Sequence, residues 1–352
     1  MVIPVFIPHK GCPFDCIYCN QKIISGQTEE MTVEKMDEII CSHLSTARRD
    51  SYIEIGFFGG SFTGIEAEKQ IMFLELANKY ILQGKIKGIR LSTRPDYIDS
   101  EILHRLKEYN VKIIELGVQS LDEDVLKKSG RGHGTDDVYK ACSLIKKSGI
   151  GLGIQTMIGL PGSNFSKDLD TAQKVVELKP DIARIYPCLV IKDTYMEHMY
   201  KSGIYTPLKL NEAVSICKKM LIHLEKSGIN VIRIGLQPTD DMQMGKNIIA
   251  GPYHPAFRQL VESEIYKDMI DKVLDSMVIK PNTSIIINFN SKDYSNIIGQ
   301  KKSNTKYFKS KYPEVEISFI ADDFADEDCI IAKTGESRIV LSQKDYFRGI
   351  NL

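Results

Sequence analysis

Apolar and polar positions alternate along this chain in two rhythms. Short runs rich in Val, Ile and Phe are followed by longer stretches in which apolar residues recur every three or four positions. The pattern predicts strands at Val2–Ile7, Tyr52–Phe58, Gly88–Ser92, Val111–Gly117, Gly151–Ile158 and Ile182–Pro187. It predicts helices at Val33–Ser45, Glu66–Leu82, Ser100–Tyr109, Asp122–Lys128, Thr135–Lys147, Ser166–Leu178 and Leu210–Lys226. Six strand-then-helix repeats imply parallel strands joined by right-handed crossovers. Val231–Gly235 offers one more strand.

The texture changes near residue 280. Strands are predicted at Ser284–Phe289 and Glu314–Phe319, with a lysine-bearing helical stretch, Tyr294–Lys311, between them. After the acidic turn Ala321–Asp328, Cys329–Ala332 and Arg338–Ser342 can pair as a hairpin. The expected organisation is an α/β partial barrel of six β/α units over residues 1–250, a bridging segment over 251–280, and a small α+β module over 281–352.

Composition narrows the class. The chain has 352 residues, 43% of them hydrophobic, enough for a large core. No apolar run reaches the roughly 20 residues needed to span a membrane. The 46 basic and 46 acidic residues cancel, so net charge gives no sign of nonspecific nucleic-acid binding. The eight cysteines include five scattered ones (Cys41, Cys142, Cys188, Cys217, Cys329), which suits a reducing cytosol.

The other three, Cys12, Cys16 and Cys19, are spaced C-x3-C-x2-C. Three thiolates this close can hold three irons of a [4Fe–4S] cube and leave the fourth open to a chelating cofactor. A zinc site with His9 as fourth ligand, or a disulfide with a spare thiol, are the other readings of these residues. The spacing, with Tyr18 before the last cysteine, resembles the signature of the radical S-adenosylmethionine (SAM) enzymes. That resemblance implies that SAM chelates the open iron and is cleaved to a 5′-deoxyadenosyl radical.

Glycines and polar residues gather at the predicted strand ends, the rim where (β/α) barrels carry their chemistry. Gly59-Gly60-Ser61 follows the second strand and resembles the segment that holds the SAM amino group. Ser92-Thr93-Arg94-Pro95-Asp96 closes the third, where Arg94 either meets the SAM carboxylate or ribose or serves structure. The fourth ends at Gln119, twelve residues before Arg131. A carboxamide can bond ribose hydroxyls, and a guanidinium can fork onto a carboxylate. His133 is a candidate proton donor, phosphate contact or helix cap. The fifth strand carries Gln155 and ends in Gly159-Leu160-Pro161-Gly162, resembling an adenine-contacting strand. The sixth ends in Arg184-Ile185-Tyr186-Pro187-Cys188. Tyr186 and Cys188 are its candidates for the substrate side, Cys188 either as core or as a radical partner.

Together these motifs are similar to the radical SAM core of the Elongator catalytic subunit and its bacterial relatives, over about residues 1–260. The resemblance implies modification of tRNA, fed by a low-potential electron donor such as ferredoxin or flavodoxin, in the cytoplasm. Those relatives join the core to an acetyltransferase domain. Only about 90 residues follow the core here, without a recognisable acetyl-CoA loop, which puts acetyl chemistry in doubt. Ile297–Asn304 resembles the Gly-x-x-Gly turn of KH modules, with Lys302 in place of the second glycine. Six lysines against one acid between Lys292 and Lys311 favour phosphate contact, with Lys301, Lys302 and Lys306 the candidates. The alternatives are a solvated helix face, an enzyme acting on a tetrapyrrole, and a non-catalytic Fe–S protein that binds RNA. For the tetrapyrrole reading Gln21 stands where another cysteine is usual.

Overall fold

The structure is a computed structural model that describes residues 1–7, 16–20, 23, 30–48, 51–236, 242–335 and 337–350. His9, Cys12 and Gln21 lie outside the described residues. The chain divides into two compact units, one of residues 1–209 and 229–253, the other of residues 210–228 and 254–352.

The first unit is built on a parallel sheet of seven strands: β1 (Val2–Phe6), β2 (Glu54–Phe58), β3 (Gly88–Thr93), β4 (Val111–Gln119), β5 (Gly151–Ile158), β6 (Ile182–Pro187) and β8 (Asn230–Ile234). Their spatial order follows the chain. Each neighbouring pair is parallel. Right-handed crossovers curl such a sheet into a partial barrel. Among the described residues β1 and β8 pair on one side only, so the barrel stays open. The strand expected at Val231–Gly235 is present as β8. A short antiparallel pair, β7 (Val190–Ile191) and β9 (Ile248–Ala250), lies outside the main sheet.

The helices of this unit are α1 (Val33–Thr46), α2 (Ala67–Leu82), α3 (Ser100–Glu108), α4 (Glu123–Lys128), α5 (Thr135–Ser148), α6 (Phe165–Leu178) and α7 (Tyr195–Lys201). Side-chain oxygens of Thr32, Asp99, Asp122 and Asn164 accept from first-turn N–H groups of α1, α3, α4 and α6. Such caps satisfy donors that a helix start leaves open and fix where each helix leaves the rim.

The two faces of the sheet differ in chemistry. Ile55, Phe57, Ile89, Leu91, Ile114, Leu116, Leu152, Ile154 and Ile185 are almost wholly buried. Burying each such side chain stabilises the fold by about 1.5–3 kcal/mol. The alternate positions, facing the barrel interior, include Glu54, Arg90, Glu115, Gln155, Arg184 and Tyr186. Gly153 makes room for this set, since a Cβ there would stand 2.9 Å from Glu115 Cγ.

The second unit contains α8 (Leu210–Lys226), α9 (Phe257–Asp275), α10 (Tyr294–Ile298), α11 (Ser303–Lys311) and α12 (Gln343–Arg348). Its mixed sheet has the order β11 (Glu316–Ala321), β10 (Ser284–Phe289), β12 (Cys329–Thr334), β13 (Ser337–Ser342). The hairpin expected near Cys329 is β12–β13. The division differs from a break at residue 250. Helix α8 groups with this unit, and α9, in the segment expected to bridge, buries Val261, Ile265, Tyr266, Met269 and Ile270 in its core. The stretch expected as one helix over Tyr294–Lys311 is two, broken at Gly299–Lys302. There Lys301 and Lys302 both take left-handed backbone angles, φ 52° and 60°. No helix among the described residues is long and apolar enough to cross a membrane.

Candidate active site

Residues 16–20 are wedged into the rim of the barrel by backbone bonds. Cys19 N–H donates to Cys16 O (2.9 Å), Ile17 N–H to Ser129 O (3.3 Å), and Met196 N–H to Ile17 O (2.8 Å). Asn20 Nδ2 donates to Lys192 O (3.3 Å). Cys16 and Tyr18 are buried in an apolar cluster with Leu160, Cys188, Met196 and Tyr205, and Cys19 packs against it. Burial pushes the Tyr18 hydroxyl well above its ordinary pKa, against a lowering pull from Arg131. Among the described residues that hydroxyl has no hydrogen-bond partner.

Arg131 holds the centre. It is 6% exposed, and its Nη1 donates to Cys16 Sγ at 3.2 Å. Its Nη2 donates to Gly117 O (2.5 Å), and its Nε to His133 Nε2 (3.2 Å). The backbone carbonyl of Arg131 accepts from Arg94 Nη2 at 2.6 Å. Arg94 is itself forked onto Asp96, with both bonds at 2.9 Å. Arg94, read from the sequence as meeting the SAM carboxylate or ribose or serving structure, is bonded here to Asp96 and to the Arg131 carbonyl. Burial and the Arg131 charge push His133 down to about 4, so its ring is neutral at neutral pH. A neutral ring that accepts from Arg131 keeps its proton on Nδ1, 3.3 Å from Gly134 O. His133, a candidate proton donor, phosphate contact or helix cap, is bonded here to Arg131 and lies beside Gly134 O.

Gln119 and Gln155 meet at the ends of β4 and β5. Gln155 Nε2 donates to Gln119 Oε1 at 2.7 Å, and the return bond is 3.4 Å. A register shift between Gly117 and Gln119, with Gln119 at φ 70°, aims this amide at its partner. Gly59 leaves β2 at φ 92°, and Ser61 is buried beside Gly60 at the same rim.

Beyond β5 the peptide of Gly159 is clamped from both sides. Its N–H donates to Asp168 Oδ2 (3.1 Å), and its carbonyl accepts from Tyr205 Oη (2.6 Å). The φ of 71° explains the glycine, and a Cβ there would also strike Leu208 at 2.7 Å. Ser163 Oγ donates to Asp168 Oδ1 at 2.5 Å. The turn Gly159–Ser163, including Pro161, lines a cavity of about 480 Å³ with Met199, Ile204 and Tyr205.

Cys188 is 1% exposed, its thiol 3.6 Å from Met196 Sδ, and burial pushes it up to about 12. It is therefore a protonated thiol packed in the same cluster as Cys16. Tyr186 Oη accepts from Arg184 Nη1 at 3.3 Å. Arg184 bonds Glu115, Glu115 also pairs with Arg90, and Arg90 pairs with Glu54. Four alternating charges thus cross the barrel interior. Sequence reasoning missed this network, as it missed Asp168 and Tyr205. Its signal is present: charged residues at alternate positions of otherwise apolar parallel strands must face one another.

The residues present fit a cluster. Cys16, buried, and Cys19, half-buried, bring two thiols to one turn, and a guanidinium is bonded to the first. Among the described residues no three metal-ligating side chains converge, Cys12 lying outside them.

Comparison with known proteins agrees. The radical SAM superfamily model matches residues 6–175, and the radical SAM C-terminal domain model residues 180–267. The tRNA uridine(34) acetyltransferase of Methanocaldococcus infernus is 33% identical over 184 residues, 47% of this chain and 34% of that protein. Elongator complex protein 3 of Schizosaccharomyces pombe is 29% identical over 208 residues, 56% of this chain and 38% of that protein. The chain thus spans little more than a third of these relatives' length. The solved structure of archaeal Methanocaldococcus infernus Elp3 with its N-terminus deleted superposes with a TM-score of 0.62 at 24% identity, covering 78% of this chain and 63% of that one. It supports the partial-barrel fold. By its motifs and the two family matches, the chain belongs to the radical SAM superfamily, and its core is similar to those of the Elongator relatives.

Proposed function

We propose that this enzyme holds a [4Fe–4S] cluster through Cys12, Cys16 and Cys19 and cleaves SAM to modify tRNA in the cytoplasm. The carrying observation is the docking of Cys16 under Arg131, at the rim where the Gln119–Gln155 pair and the Gly159 turn converge. When bound, the cluster passes one electron to the SAM sulfonium, giving methionine and a 5′-deoxyadenosyl radical that takes hydrogen from the substrate or adds to it. Gly59, Gly60 and Ser61 would face the methionyl part, Gln119 and Gln155 the ribose hydroxyls, and the turn at Pro161 the adenine. Tyr186 and Cys188 would stand on the substrate side, with the neutral thiol of Cys188 able to return a hydrogen atom to a substrate radical.

The RNA would be gripped by the turn between α10 and α11. Lys301, Lys302 and Lys306 are exposed there, whereas Lys292 and Lys311 are engaged with Glu327 and Asp271. The tRNA-acting relatives favour tRNA as the substrate. A ferredoxin or flavodoxin would supply the electron. Mass spectrometry of tRNA nucleosides from cells with and without the gene tests this reading. A nucleoside present only with the gene is expected, and identical profiles would contradict it.

A further inference from the structure

We propose that Gln70, together with Thr93, is a positioning residue for the turn that would meet the methionyl part of SAM. The proposal rests on the SAM reading above. That turn, Gly59–Ile65, leaves β2 through glycines at 59, 60 and 64, the first of them at φ 92°. Glycines leave a backbone free to take many shapes, and that freedom is lost when a ligand binds. A turn that meets its ligand with backbone groups binds tightly only if other parts of the fold have already fixed it.

Three elements fix this one. Gln70 lies in the first turn of α2 and is buried. Its Nε2 donates to Thr63 O (3.2 Å) and to Ile65 O (2.7 Å). Its Oε1 accepts from Arg105 Nη2, on α3, at 3.4 Å. Thr63 Oγ1 gives its one proton to Tyr97 O, in the turn after β3, at 2.8 Å. Thr93 Oγ1, at the end of β3, stands 2.6 Å from the Thr63 hydroxyl and is therefore the donor of that bond. Gly64 N–H returns to Ser61 O at 2.9 Å, which carries the restraint back to Ser61.

The choice of glutamine follows from these bonds. Two carbonyl oxygens of one turn face one side chain, and an amide nitrogen has the two N–H groups they need. The neighbouring buried positions of α2 are apolar, among them Phe73, Leu74 and Ala77. A buried carboxamide costs desolvation that an apolar residue in its place would not. Its bonds to the turn offset that cost, so Gln70 serves the turn rather than the core.

The test is SAM binding to the anaerobically reconstituted, unreduced protein, measured by calorimetry in wild type, Q70E and Q70M. Hydrogen exchange of the 59–65 backbone in the SAM-free protein accompanies it. Q70E keeps the shape of the side chain but turns an ionised carboxylate toward the two carbonyls. The expected result is unchanged cluster content, faster exchange at the turn in both variants, and a SAM dissociation constant raised about tenfold in Q70E and about fivefold in Q70M. Unaltered SAM affinity overturns the proposal, whatever the melting temperature does, because a merely structural glutamine would change only the latter. Should the Gln70 variants fail to fold, T93V decides, since it removes one hydroxyl and keeps the side-chain shape. A loss of SAM affinity of about fivefold is expected there, and no loss overturns the proposal. A clustered wild type that binds no SAM would contradict the proposed function, and exchange at the turn then tests the brace by itself: unchanged exchange in Q70M overturns it.

Discussion

Arg184 Nη2 lies 3.1 Å from Glu115 Oε1, deep inside the barrel. Glu115 is the hinge of the charge network, since Arg90 Nη1 reaches the same oxygen at 3.4 Å. Removing one partner of a buried pair leaves an uncompensated charge in a poor solvent. E115A is expected to destabilise the first unit by about 3–5 kcal/mol. The double variant E115A/R184M should recover part of that loss. Urea unfolding followed by circular dichroism measures both, and additive effects would mean that the pair is not coupled.

Burial raises Asp168 from its usual 3.8 to about 6. Its folded-state value lies above its unfolded one, so the folded protein binds the proton more tightly. Stability from this group is full below about pH 4 and falls as pH rises to about 6, by about 3 kcal/mol. D168N removes the titration. The difference in melting temperature between wild type and D168N is expected to change between pH 4 and 6 and to be flat above it. A constant difference would show that Asp168 ionises normally.

The other half of the Gly159 clamp is a hydroxyl. Y205F deletes the bond to Gly159 O without changing ring volume, a loss of about 1 kcal/mol. If the turn contacts adenine, SAM affinity measured by calorimetry should fall about fivefold while cluster content is unchanged. Unaltered affinity would detach this turn from SAM.

His133 is expected to stay neutral down to about pH 4, with its proton on Nδ1. Long-range ¹H–¹⁵N spectra of the cluster-free protein report both. A titration near 6.5 would mean that the Arg131–His133 bond does not hold in solution.

Much of this was legible in the pattern. Gly151–Ile158, Ile182–Pro187, Leu210–Lys226 and Ser284–Phe289 form with the bounds that periodicity gives, because a buried parallel strand and an amphipathic helix leave strong and different signatures. Partners across the fold were less visible. Asp168 is nine residues from Gly159, and Tyr205 is 46 away. Nothing local marks either as a brace. Arg94 and Arg131 look alike as isolated rim arginines, and only the fold shows that one supports the other. The place of α9 in the core of the second unit was hidden for a related reason: its buried face is read from what covers it.

The turn of α10 and α11 carries two consecutive lysines in a left-handed conformation, which costs a side-chain-bearing residue about 1–2 kcal/mol. K302G is expected to stabilise the protein by up to about 1 kcal/mol and yet weaken tRNA binding. K301E/K302E should weaken it further and lower the slope of log affinity against log salt by about 1 to 2. Filter binding across a salt series measures this. Unchanged affinity in K301E/K302E would remove the turn from the RNA contact.

The proposed function rests on Cys12, Cys16 and Cys19 holding a cluster that cleaves SAM. Its most direct measurement is the yield of 5′-deoxyadenosine when the anaerobically reconstituted protein is mixed with SAM and dithionite. Wild type is expected to release 5′-deoxyadenosine and methionine, and C16A to release neither. A fully clustered wild type that leaves SAM intact would contradict the account.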